Sequence, residues 1–169
     1  MVRILSNIAQ ALEKLEKTLV IIGSFFLLFM MILGTMDVGG RYFFSAPVPG
    51  AMVYMMLFLV CIGWLGIPYA QAKRRHIRVE TAVAHLPLRY QAIPIVFGDL
   101  AMLAITVLVA WQGWKNAAAS WAIKEVELTE SFEVSVYWWK FIVPVTAGIL
   151  CLQLLLDIVR EVSRAMNKK

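Results

Sequence analysis

The amino-acid sequence predicts an all-α integral membrane protein of four transmembrane helices. Three observations carry this: an apolar composition, four apolar runs of membrane-crossing length, and basic residues concentrated in alternate connecting segments. Of 169 residues, 61% are hydrophobic, and mean hydropathy is +0.75. Soluble domains use roughly 45–50% apolar residues. A helix needs about 20 mostly apolar residues to cross a hydrocarbon core of roughly 30 Å. The runs at 19–36, 51–70, 92–111 and 136–156 meet that length, and what remains of residues 1–169 leaves no room for a separate soluble domain.

The first two runs contain no charge, the third is broken only by Asp99, and the fourth only by Lys140. Lys140 lies close enough to the start of its run for the ammonium to snorkel to the interface. A cleaved signal peptide is not expected: the first apolar run begins at Leu19, exceeds an h-region and ends without a small-x-small cleavage site. Ahead of it, Ile4, Ile8, Leu12 and Leu15 recur at helical spacing over about 3–17, with Glu13, Lys14 and Lys17 largely on other faces. That pattern predicts an amphipathic helix lying in the membrane interface, or docked on a partner.

The first connection is short and turn-rich, with Gly39, Gly40, Pro47, Pro49 and Gly50, so helices one and two form an antiparallel hairpin. Asp37 and Arg41 are spaced i, i+4 and are placed to pair as a local anchor, while Tyr42, Phe43 and Phe44 suit an interfacial aromatic belt. The second connection, roughly 71–91, carries Ile77, Val79, Ala82, Val83 and Leu86 in a pattern that predicts a short surface helix ending before Pro87. The third, 112–135, predicts a helical extension followed by a turn, with Trp114 and Trp121 preceding Glu125, Glu127, Glu130 and Glu133. In the fourth run, Pro144 removes one backbone donor and predicts a kink, and Gly148 permits close helix approach.

Lys and Arg accumulate on the cytoplasmic side of short loops. The N-terminal segment, second connection and C-terminal tail hold twelve of the 16 basic residues; Arg41, Lys115, Lys124 and Lys140 lie opposite. Both termini are therefore expected in the cytoplasm. The net charge of +5 arises where anionic lipid headgroups lie and forms no stripe interleaved with aromatics, so membrane lipids rather than nucleic acid are the expected contacts.

Intramembrane ionisable groups mark transport pathways, because each costs roughly 2.5–3.5 kcal/mol at a helix centre. Asp99 lies about 10 Å from the start of helix three at about 1.5 Å per residue. Trp64 and Gln153 are available at that depth as hydrogen-bond donors, and a structural carboxyl is favoured over a proton or sodium relay. His76 and His85 both fall in the second connection, so no axial haem ligand lies within a span. Cys61 and Cys151 sit within spans and read as small apolar residues. No metal-ligand spacing, phosphate loop or nucleophile with a nearby base is present, so neither a cofactor nor enzymatic chemistry is expected.

Several separated motifs bear on family. Arg41-Tyr42-Phe43 follows the first run, Val48-Pro49 precedes the second, His76-Ile77-Arg78-Val79-Glu80 is followed by Leu86-Pro87, and Pro144 and Gly148 lie in the last run. This pattern resembles the small membrane subunit, DctQ type, of tripartite ATP-independent periplasmic (TRAP) transporters over nearly the whole chain. Gly50-Ala51-Met52-Val53 departs from the Trp-Ser-Glu-Glu common there, and Glu80 replaces an Asp. The resemblance implies a scaffold subunit in the bacterial inner membrane. It would pack against a large multi-helix TRAP subunit that holds the substrate and sodium sites, with a periplasmic substrate-binding protein delivering an organic acid. The alternatives are a self-contained homo-oligomeric transporter or channel using Asp99, and an assembly or sensor protein using the second connection.

Overall fold

The computed structural model describes residues 2–83, 92–129 and 133–167, with side chains placed over 9–73, 96–129 and 133–159. The elements are α1 (Val2–Phe44), α2 (Ala51–Val83), α3 (Ala92–Ala122), β1 (Val126–Leu128), β2 (Glu133–Ser135), a 3-10 turn η1 (Trp139–Phe141) and α4 (Ile142–Asn167). Each α-helix contains a stretch long and apolar enough to cross a membrane: Ala9–Phe44, Ala51–Lys73, Val96–Ala122 and, starting in η1, Trp139–Val159.

Two surface helices expected from sequence are not separate elements. The amphipathic segment is the first third of α1, and the segment after the second span continues α2 to Val83. The reason is local. No Gly or Pro occurs between Val2 and Ile22, nor between Gln71 and Val83. Once nucleated, a helix propagates at little cost until a breaker intervenes. Orientation also differs from the predicted amphipathic face: Leu15 is 45% exposed whereas Glu16 is 1% exposed.

The third connection contains an antiparallel hairpin where only a turn was expected, with Val126 opposite Ser135 and Leu128 opposite Glu133. α3 stops because Lys124 takes a left-handed conformation, φ 48°. There Lys124 N–H donates to Trp121 O and Glu125 N–H to Ser120 O, which closes the helix end. Alternating β-branched residues then favour strands, and Val134 faces inward.

Packing follows the order α1–α2–α4–α3. α1 lies along α2, α2 meets α4, and α4 lies along α3; α1 touches α4 lightly, and α1 and α3 share no substantial contact among the described residues. The four helices thus form an open row. Small residues mark the close approaches: Gly23 faces Leu65 and Gly34 faces Met55 between the antiparallel α1 and α2, and Gly113 faces Val143 and Pro144 between α3 and α4. The interior is a stripe of Cys61, Leu65 and Pro68 on α2 and of Ala147, Leu150 and Leu154 on α4.

Pro144 is the third residue of α4, where an N–H has no intrahelical acceptor, so it starts that helix instead of kinking it. The interior proline is Pro68, fully buried in α2, whose missing N–H leaves the Trp64 carbonyl without its usual donor.

Candidate functional site at the hairpin end

The helix ends beside the β-hairpin carry a polar framework. Asp37, 5% exposed, uses both carboxylate oxygens: Oδ2 accepts from Arg41 Nε at 2.9 Å, and Oδ1 accepts from Val48 N–H at 2.9 Å. The i, i+4 pair expected from sequence is therefore also a clamp on the α1–α2 turn. Around it, Ser45 is left-handed and Ala46 N–H donates to Gly40 O. A Cβ on Gly40 would lie 2.7 Å from the Ala46 carbonyl oxygen. Gly50, φ 74°, makes the final reversal before α2, a conformation that costs glycine little.

A second cluster ties η1 to the end of α3. Lys140 Nζ donates to Ser120 Oγ at 2.8 Å and to Glu125 Oε2. Hydrogen bonds from Lys140 and then Ser120 hold the Glu125 carboxyl below the usual carboxylate range. Aromatic rings brace the same region, with Trp121 in edge contact with Tyr137, Trp138 and Phe141. A cavity of about 360 Å³ opens between the α1–α2 turn and the hairpin, lined by Arg41, Pro47 to Val53, Leu128 and Thr129.

Deeper in the row, Asp99 is half-buried on α3. At the opposite end, Glu16 and Asp157 are each 1% exposed, and Gln153 on α4 is also buried. Glu13 pairs with Lys73 at 3.3 Å, aligning α1 with α2 there. Gly148 is half-buried, and a Cβ added there would meet nothing within 4 Å among the described residues. The side chains of His76 and Glu80, with Leu86 and Pro87, lie outside the described residues. Among the described residues no three His, Cys, Asp or Glu side chains are grouped to hold a metal ion.

Sequence reasoning brought Asp37 and Arg41 together but missed the Lys140 cluster and the buried Glu16. A signal for Glu16 existed, since it follows Leu12 by four residues on one helical face. Lys140 and Glu125 lie on separate elements, and no local spacing links them.

The geometry is that of a helical membrane protein with its polar groups gathered at the helix ends. A profile of the DctQ component of tripartite ATP-independent periplasmic transporters matches residues 30–164. The isethionate TRAP transporter permease protein DctMQ of Oleidesulfovibrio alaskensis is 25% identical over 103 residues, covering 61% of this chain and 16% of that protein. The chain therefore spans only a small part of that relative's length. It belongs to the DctQ component family of tripartite ATP-independent periplasmic transporters, as a small subunit with four membrane-spanning helices.

Proposed function

We propose that this chain is the stationary scaffold subunit of a transporter that takes up an organic acid on a sodium gradient. It packs against a large multi-helix membrane subunit holding the substrate and ion sites, and a periplasmic binding protein supplies the substrate. The open row of helices carries this reading: in the most apolar stretch of α1 and of α3 only 6% of the residues are buried by the chain itself, and over 19–36 and 96–111 the exposed residues are apolar apart from Ser24 and Thr35. Such faces suit lipid or another membrane protein, and offer little with which to hold a solute. The relative's name includes isethionate, an organic anion, which supports the substrate class. Twelve basic residues on the side of the termini support placing both termini in the cytoplasm of a bacterial inner membrane.

The test is affinity purification of the tagged chain from native membranes in mild detergent. The expected result is recovery in fixed stoichiometry with one larger multi-span protein, and no substrate flux in liposomes holding this chain alone. Flux by the lone chain that is lost in Asp99→Asn would replace the scaffold reading with a self-contained carrier.

A further inference from the structure

The cavity beside the α1–α2 turn has the polarity of an anion seat. Arg41 points its Nε at Asp37, which is itself fixed by Val48 N–H, so the guanidinium is held in place while its two terminal nitrogens remain available on a side chain that is 57% exposed. Thr129 lines the same cavity, and its hydroxyl oxygen is buried with no hydrogen-bond partner among the described residues. Met52 and Val53 also line it, and their N–H groups belong to the first turn of α2, where no intrahelical acceptor exists. Among the described residues no carboxylate lines the cavity.

Two further observations identify the kind of anion. Tyr42, Phe43 and Phe44 are strongly exposed next to Arg41, which sets this level at the headgroup zone of the bilayer. Below the cavity an apolar track runs down α2 from one of its lining residues. Met52, Met56 and Leu59 are exposed by 61%, 61% and 58%, and Gly63 continues the same face. From Met52 to Gly63 the track is about 16 Å long at about 1.5 Å per residue, close to half of a roughly 30 Å hydrocarbon core. A free anion needs no such track.

We propose that this cavity seats the phosphate of a membrane phospholipid, with an acyl chain lying along Met52, Met56 and Leu59. Arg41 supplies the charged fork, Thr129 and the first turn of α2 supply further donors, and the α2 face supplies the apolar groove.

The experiment uses the full chain, purified with whatever subunit accompanies it and reconstituted with phosphatidylethanolamine carrying a diazirine in mid-chain. Photolabelled peptides are mapped by mass spectrometry. Labelling is expected to concentrate on residues 52–59 and to fall about tenfold in Arg41→Gln, the scale of one lost charge-assisted hydrogen bond. Met52→Glu gives a second route that leaves the Asp37 pair intact, because an exposed acid in the first turn of a helix is well tolerated yet repels phosphate. The same fall is expected there, with labelling at Leu108 on α3 unchanged. Equal labelling of 52–59 in the wild type and both variants would reduce the track to bulk lipid contact and overturn the proposal. So would displacement of the label by millimolar inorganic phosphate, or capture of an acidic protein segment instead of lipid by a photoreactive residue at position 52.

Discussion

Asp37→Ala should destabilise the protein well beyond Arg41→Ala, because the acid serves the turn more than it serves the arginine. Its bond to Val48 N–H joins a carboxylate to a partly buried backbone donor eleven residues away, and hydrogen bonds to charged groups contribute about 1.5–3 kcal/mol. Its bond to Arg41 joins it to a side chain that is 57% exposed, and solvent-screened pairs contribute about 0–1 kcal/mol. Removing the carboxylate therefore costs about 1.5–4 kcal/mol. Asp37→Asn keeps an acceptor for Val48 and costs about 1–2 kcal/mol, while Arg41→Ala costs about 1 kcal/mol or less. Unfolding by SDS titration in mixed micelles, followed by tryptophan fluorescence, reads these as ordered shifts of midpoint. The double variant should match Asp37→Ala alone within error. If Arg41→Ala costs as much as Asp37→Ala, the clamp on the turn is not the main duty of the acid, and the reasoning fails.

The Lys140 cluster predicts an acid-sensitive hairpin end. Because the folded state lowers the Glu125 pKa from 4.5, its stabilisation is complete above that value and is lost as pH falls through the lower folded pKa. Fluorescence of the tryptophans around Trp121, titrated from pH 6 downwards, should show a step that is missing in Glu125→Gln. Gly40→Ala places a Cβ 2.7 Å from a backbone oxygen and should cost about 1–3 kcal/mol in the same unfolding assay. Gly39→Ala, with nothing within 4 Å of the added carbon, should be neutral or gain up to about 1 kcal/mol of helix propensity. Glu16→Gln should hold or raise the unfolding midpoint, since Glu16 Oε1 is buried without a hydrogen-bond partner among the described residues and an ionised carboxyl there is costly. A fall of more than about 1 kcal/mol would mean that the acid makes a favourable ionic contact in the membrane.

The membrane spans were legible because hydrophobic run length answers directly to bilayer thickness. The Asp37–Arg41 pair was legible because i, i+4 spacing on a helix brings side chains together wherever the helix lies. Features that depend on distant partners were not. Lys140 reads as a snorkelling residue until η1 sets it beside Ser120 and Glu125, 20 and 15 positions earlier. Hydropathy also finds where a helix crosses the membrane, not where it ends, so α1 and α2 were each read as two pieces although no breaker divides them. Pro144 was misread for a related reason: its effect depends on how many residues of helix precede it.

The open order of the helices also bears on how the chain is made. α1 with α2, and α3 with α4, are neighbours in both sequence and space, so each pair can close as soon as its second member emerges from the ribosome. The contact between α2 and α4 must wait until the last helix has been inserted. A lesion in the first pair would therefore stall assembly before the second exists. A lesion at Leu150 or Leu154, which α4 buries, would leave two well-formed helical hairpins drifting apart in the bilayer, substrates for membrane quality control rather than for aggregation in water.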